Sequence, residues 1–190
     1  MATEEPSFNV LVQEGEFEVR DYSALIAAEV SVTGSRDEAS NAGFRLLAGY
    51  IFGGNTRRQS IAMTAPVVQE RATSETIAMT APVTQSGSDG AWTVRFVMPS
   101  NYTMETLPTP NDARVRLVPV PPQRFAVVRF SGLAQPADVE RRTASLRSFL
   151  ARRQLSVAGS ASLARYDPPW TPWFMRRNEV WIPVSSGEAR

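Results

Sequence analysis

The sequence contains no cysteine and no histidine, and all 20 of its basic residues are arginine. These absences exclude disulfides, thiolate nucleophiles, Cys/His zinc sites, histidine general bases, lysine Schiff bases and the P-loop lysine. Only carboxylates, tyrosine, serine, threonine and arginine remain for catalysis. Because most familiar enzyme chemistries are excluded, we expect a protein that is not an enzyme.

Long apolar runs are also missing, since none approaches the roughly 20 residues that cross a bilayer. The first residues, Met-Ala-Thr-Glu-Glu-Pro, are acidic where a secretory signal would be basic and then apolar. We therefore expect a cytoplasmic protein without a membrane span. A monomer or weak oligomer is expected. With 20 arginines against 19 acids, the formal net charge of +1 does not favour nucleic acid as a partner.

Hydrophobic periodicity predicts one domain at residues 8–184, between short tails at 1–7 and 185–190. It has two similar halves, 8–102 and 112–184, each ordered strand, strand, helix, strand, strand. Alternating residues predict strands at 16–22, 24–33, 92–98, 114–120, 124–131, 162–166 and 178–183. Helical spacing predicts helices at 36–52 and from 136 or 137 to 154. The pattern is typical of an α+β fold, in which antiparallel strands form two sheets or a barrel with a helix on each side.

The heptapeptide Ile-Ala-Met-Thr-Ala-Pro-Val occurs at residues 61–67 and again, unchanged, at 77–83. Each copy is predicted to form a short strand with its proline at an edge or bulge, so the pair forms a hairpin or two edge strands. Met63 and Met79 take equivalent positions. They either fill gaps in the core or form an adaptable wall of a binding site.

The first predicted helix has more apolar surface than a single contact face requires. Ser35 and Glu38 form a capping box at its start, and Gly53 marks its end. Beyond the stripe that faces a sheet, a second apolar stripe contains Phe44, Ala48, Ile51 and Phe52. Another part of the chain, a partner or a ligand must cover this stripe, so we expect any binding site beside this helix.

Three of the four tryptophans lie in one proline-rich stretch, residues 164–184, which we call the aromatic segment. Prolines fix φ and remove amide donors, which excludes a helix or a central strand between Asp167 and Met175. Trp170 and Trp173 therefore belong to a loop. They either fill the core or form the rim of a ligand site.

The sequence Ala-Arg-Tyr-Asp-Pro-Pro-Trp-Thr-Pro-Trp-Phe-Met-Arg-Arg-Asn-Glu-Val at 164–180 resembles the SOUL family of haem-binding proteins. The repeated heptapeptide, Tyr-Ile-Phe-Gly-Gly-Asn at 50–55 and Phe-Ser-Gly at 130–132 are similar to the same family, and the likeness extends over residues 8–184. The resemblance implies a twisted antiparallel β-barrel flanked by two α-helices, related to the gyrase-inhibitor-like effector-binding domains. It also implies that haem or another tetrapyrrole binds, without covalent attachment, in an apolar cleft beside the first helix, bordered by the C-terminal loop.

Without histidine, we expect the macrocycle to be held by its apolar face, and only methionine or tyrosine could ligate iron. The propionates are expected to meet an arginine. The expected contact residues are Phe44, Leu47, Ala48, Ile51, Met63, Met79, Trp170, Trp173, Arg176 and Arg177, with Arg57 and Arg58 as further propionate candidates. Alternatively, Arg176 and Arg177 form ion pairs with Glu179 or another acid.

Two other functions fit the same sequence. One is an effector-binding or protein-interaction module for another flat hydrophobic ligand. The other is a hydrolase that uses a buried carboxylate, with Glu29 or Glu179 as candidates. Both acids are more simply explained as strand or ion-pair residues.

Overall fold

The computed structural model describes residues 4–57, 76–78, 80–88, 90–167 and 170–185. It confirms the predicted α+β class, with a curled antiparallel sheet of nine strands, shaped as a half-barrel, and two helices. The helices are α1 (Arg36–Ile51) and α2 (Pro136–Arg152). The strands are β1 (Phe8–Glu14), β2 (Phe17–Tyr22), β3 (Leu25–Thr33), β4 (Asn55–Thr56), β5 (Val83–Ser88), β6 (Ala91–Val97), β7 (Thr109–Pro110), β8 (Arg116–Val120), β9 (Gln123–Ser131), β10 (Ser162–Arg165) and β11 (Arg177–Pro183).

The large sheet has the strand order β1-β2-β9-β11-β10-β5-β6-β3-β8, and β4 pairs separately with β7. At its centre β10 pairs with β5, where Ser162 is opposite Ser86. On either side of this seam, the strand before each helix pairs with the last strand of the same half, β9 with β11 and β3 with β6. In contrast, β2 pairs with β9 and β8 pairs with β3. Each half therefore adds a strand to the other, which ties both into one sheet.

Both helices cover the sheet, α1 over β3 and β6 and α2 over β9 and β11. Alternation along β11 sorts its side chains: Val180 and Ile182 belong to the core cluster of α2, whereas Trp181 belongs to a separate cluster with Tyr22. Because neighbouring residues of a strand point to opposite faces, this second cluster lies on the face away from α2. Both faces of the sheet therefore carry buried apolar side chains.

The predicted capping box of α1 is confirmed, because Ser35 Oγ accepts from the Glu38 amide while Glu38 Oε2 accepts from the Ser35 amide at 3.0 Å. Gly43 allows α1 to lie close to β6. A Cβ atom at this position would be 2.6 Å from Val94 Cγ2. The helix ends at Phe52, its C-cap, just before Gly53 with φ of 110°.

The described residues of the second heptapeptide copy do not form the predicted strand, because β5 begins only at the last of them, Val83. Pro82 has no amide hydrogen to donate to a ladder. The Ile77 amide bonds to Ile51 O at 2.7 Å, so the segment is tied to the end of α1. The first copy, with Met63, lies outside the described residues, and so does Met79.

Strand β1 was not predicted. Its run Val10-Leu11-Val12 lacks alternation, and the register with β2 shifts between Val10 and Val12. A bulge of this kind removes the period-two signal on which a sequence prediction depends.

Candidate functional site

The apolar surface of α1 is divided between core and exterior. Leu47 and Ile51, both expected ligand contacts, are fully buried in the core. Phe44 and Ala48 are only partly buried, and the Phe44 ring lies 5.3 Å from that of Phe96. One turn further, Phe52 is 62% exposed. Phe44, Ala48 and Phe52 follow at intervals of four residues and form what we call the outer stripe of α1.

The outer stripe has a cationic end. Arg165 of β10 donates to Ser40 Oγ at 2.8 Å and lies 3.6 Å from an Asp37 carboxylate oxygen, in the first turns of α1. Burial lowers the pKa of Arg165, and the charges of Arg36 and Arg176 lower it further, against the opposing effect of Asp37. Positive charge from three segments therefore gathers at the start of α1.

The aromatic segment does not fill the core with all of its tryptophans. Trp181 is buried, but Trp170 and Trp173 are exposed. Trp173–Met175 form a single 3-10 turn. The prediction that the segment between Asp167 and Met175 contains no helix is wrong for this turn. Pro172 stands at its N-cap, and the fixed φ of proline is compatible with the start of a short helical turn.

A buried network anchors both ends of the loop within the aromatic segment. Glu179 accepts hydrogen bonds from Tyr166 Oη at 2.7 Å and Trp181 Nε1 at 2.8 Å. The Arg177 guanidinium lies 3.0 Å from Glu179 Oε1 and also pairs with Glu5. Arg20, on β2, is the fourth partner of Glu179, at 3.0 Å. Arg177 thus forms the ion pair that was the alternative to a propionate contact.

Arg20 belongs to this network, although the sequence pattern does not reveal it. The alternation in residues 16–22 placed it with Glu16 and Glu18 on a solvated face, yet it is 2% exposed. Tyr22 lies two residues along the same strand, on the same face, and its hydroxyl accepts from Arg20 at 3.0 Å. The spacing of Arg20 and Tyr22 is the local signal that Arg20 is buried. Its partner Glu179, however, is 159 residues away in the chain.

The electrostatics of Glu179 follow from this network. Burial raises the pKa of Glu179, but the Arg20 charge and the hydrogen bonds from Trp181 and Tyr166 outweigh it, and the pKa lies below its ordinary value. Burial and the adjacent carboxylate raise the pKa of Tyr166. Glu179 is therefore an ionised acceptor and Tyr166 a neutral donor.

The network predicts a loss of stability in acid. Since the pKa of Glu179 is lowered from 4.5, its contribution is complete above about pH 5 and is lost as pH falls through the folded-state pKa. Urea denaturation at several pH values below about 5 measures the free energy of unfolding. This free energy should fall more steeply with falling pH in the wild type than in Glu179→Gln. Parallel curves would assign the acid transition to other carboxylates, such as Asp21, whose pKa is also lowered by Arg124.

The two candidate carboxylates of the hydrolase hypothesis form ion pairs, as expected. Glu29 lies 2.8 Å from Arg95 and 2.8 Å from Arg116. A general acid at neutral pH needs a raised pKa, whereas the pKa of Glu179 is lowered. Neither geometry favours acid catalysis.

The described part of the chain contains sizeable cavities away from the outer stripe. One, of about 660 Å³, lies between the N-terminal Glu4–Ser7 stretch and the strand ends near Leu25 and Met98. A second, about 590 Å³, lies beside α1 on the side of Arg45 and Leu46, away from Phe44. No described helix is both long and apolar enough to cross a membrane.

Comparison with known proteins gives matches along almost the whole chain. A family model described as SOUL heme-binding protein matches residues 3–183. Heme-binding protein 1 of Xenopus laevis is 30% identical over 178 residues, which are 90% of this chain and 88% of that protein. Heme-binding protein 1 of Xenopus tropicalis gives the same identity and coverage.

Solved structures share the fold at low sequence identity. The EcmrR C-terminal domain has a TM-score of 0.62 and 11% identity, over 89% of this chain and 96% of that one. A protein described as a hydrolase from Listeria innocua has a TM-score of 0.57 and 14% identity, over 92% and 94% of the two chains. At such identities the likeness concerns the fold alone.

Proposed function

Since this chain belongs to the SOUL heme-binding protein family, we propose that it binds haem or another tetrapyrrole without catalysing a reaction on it. The family match over residues 3–183 is the observation that carries the proposal. We place the macrocycle against the outer stripe of α1, because a flat apolar ligand is the kind of molecule that would cover Phe44, Ala48 and Phe52.

The geometry around the stripe suits an amphipathic anion. Phe52 is largely exposed at one end, and Arg165 and Arg176 contribute positive charge near the other. Guanidinium groups bind carboxylates in a bidentate manner, which favours propionates at the start of α1. In this arrangement Trp170 and Trp173 border the cleft. Leu47 and Ile51 support it from the core, and Arg177 holds the aromatic segment through Glu179.

The candidate iron ligands are poorly suited to bond the metal. Tyr50 donates its hydroxyl to Pro108 O at 2.9 Å, and Tyr166 donates to Glu179. Among the described candidates, Met175 alone has an exposed thioether, and such a ligand holds ferric iron weakly. We therefore propose that binding depends on the macrocycle and the propionates, without an axial histidine.

Parallel titrations with hemin and metal-free protoporphyrin test this proposal. Both should quench tryptophan fluorescence with affinities that agree within about tenfold, because iron adds little binding energy when no strong ligand is present. The hemin Soret band should show no ligand-field change. Protoporphyrin dimethyl ester, which lacks the carboxylates, should bind more weakly than protoporphyrin.

Other results would contradict specific parts of the proposal. Hemin-only binding with a shifted Soret band would show an axial methionine or tyrosine. Binding of neither compound would remove the tetrapyrrole function altogether.

A second candidate, a module for a different flat apolar ligand, is supported by the cavity of about 660 Å³. Leu25, Val97, Met98 and Tyr102 contribute to its wall, and Glu4 lies at the N-terminal side. Its size falls within the usual range for small-molecule sites. Tighter binding of unrelated aromatic compounds than of protoporphyrin, with loss of that binding in Met98→Asp, would favour this candidate.

A further inference from the structure

We propose that an exposed apolar projection at one end of the sheet docks on anionic phospholipid bilayers. The projection, which we call the aromatic tip, comes from the loop after β9 and the loop before β11. Its side chains and their exposed fractions are Leu133 51%, Trp170 82%, Trp173 60%, Phe174 60% and Met175 63%.

The two loops of the aromatic tip are held together by the backbone. The Gly132 amide donates to Arg176 O at 3.2 Å, and Asn178 Nδ2 donates to Gly132 O at 2.9 Å. Ser131 is opposite Arg177 in the β9–β11 register. Leu133 is therefore positioned next to the 3-10 turn, and the tip is fixed to two central strands of the sheet.

The shape of the tip favours a lipid surface over a protein partner. Trp173, Phe174 and Met175 are consecutive and all at least 60% exposed, so most of the side-chain surface of their turn faces solvent. The Trp173 and Phe174 rings contact each other edge to face at 5.8 Å. A membrane interface accepts projecting aromatic side chains of any outline, with tryptophan preferred at the headgroup level. A protein partner would need a cavity of matching form.

The charge around the tip is complementary to anionic headgroups. Residues 129–134 and 170–178 include Arg129, Arg176 and Arg177 but no acid. The acids that flank these loops are engaged, since Asp138 pairs with Arg141 and Asp167 accepts from the Arg177 amide at 2.6 Å. Each arginine near an anionic surface strengthens binding by about fivefold. Arg177 contributes less because it is held by Glu5 and Glu179.

Membrane docking does not depend on tetrapyrrole binding and is tested without it. The full chain is mixed with vesicles of phosphatidylcholine, alone or with phosphatidylglycerol, and sedimented. We expect binding to the mixed vesicles, a blue shift of tryptophan emission and quenching by brominated acyl chains. Phe174→Asp should weaken binding by at least about tenfold, because it removes an aromatic ring that would insert into the bilayer and adds a negative charge.

Matched variants distinguish the contribution of the aromatic tip to vesicle binding from the effect of adding a negative charge anywhere on the surface. Leu11→Asp makes the same charge change at an exposed leucine on β1 and should bind vesicles as the wild type does. Arg129→Glu should weaken binding to the mixed vesicles only. Phe174→Asp should retain protoporphyrin binding, so that failure here is distinguishable from failure of the proposed function.

The proposal is overturned if the wild type binds neither vesicle, or if Phe174→Asp and Leu11→Asp bind equally well. It is also overturned if the wild type forms a concentration-dependent dimer that Phe174→Asp abolishes while vesicles bind neither protein. That last result would assign the tip to contact between copies of this chain.

Discussion

Replacing Glu179 by alanine is expected to lower the free energy of unfolding by about 3–5 kcal/mol, as is usual when one partner of a buried ion pair is removed. Arg20, which is 2% exposed, would lose one of its two carboxylate partners and keep only Glu18. Tyr166 and Trp181 would lose the acceptor of their polar hydrogens. Urea denaturation at neutral pH measures the change.

Glu29→Ala is the matched control, because Glu29 is also a buried strand glutamate with two arginine partners. The side chains of Arg95 and Arg116 are 42% and 64% exposed, so water can solvate both after the substitution. We expect a loss of about 1 kcal/mol or less for this partly exposed network. Equal losses in the two variants would show that the Glu179 network contributes no more than a surface one.

Replacing Phe44 by aspartate is expected to weaken tetrapyrrole binding by about a hundredfold or more, which removes the fluorescence quenching at accessible concentrations. The substitution removes an apolar contact and places a charge against an apolar ligand, two effects that together exceed about 3 kcal/mol. Quenching by protoporphyrin, compared with that of the wild type, measures the loss.

Leu46→Asp is the control for this variant. Leu46 is also partly buried and packs against the same core cluster, but it lies on the opposite side of α1. Both variants should lose comparable stability, and only Phe44→Asp should lose binding. Should Phe44→Asp fail to fold, Ala48→Asp makes the same test on the outer stripe with Gly49→Asp as its control, since a Cβ at Gly49 meets nothing within 4 Å. Unchanged quenching in a folded outer-stripe variant would place the ligand elsewhere, with the 660 Å³ cavity as the next site to test.

Predictions from local signals agreed well with the structure. The Ser35 capping box set the start of α1, Gly53 its end, and alternation identified most strands of the sheet. Each of these signals acts within a few residues, so the sequence carries it directly. The predictions that failed had a competing local feature, such as the bulge in β1 or Pro82 in the second heptapeptide.

For the expected binding site, too, the sequence predicted the local features but not the packing between distant parts of the chain. The sequence showed that α1 has two apolar stripes, but not which of Phe44, Leu47, Ala48 and Ile51 would face the core. That depends on the close approach of α1 to β6 at Gly43, a contact between distant parts of the chain. Likewise, the prolines predicted a loop in the aromatic segment, while only packing decided that Trp181 is buried and that Trp170 and Trp173 are exposed.

The sequence by itself therefore determined the fold class, the helix boundaries, the family and the excluded chemistries, because composition, periodicity and local motifs carry that information. Tertiary structure alone decided that Arg20 meets Glu179, at a separation of 159 residues, and that Arg177 is held by the same carboxylate. It also brought Leu133 next to the exposed turn of the aromatic segment. Pairings of this kind arise from strand order and register, and no local pattern in the chain specifies them.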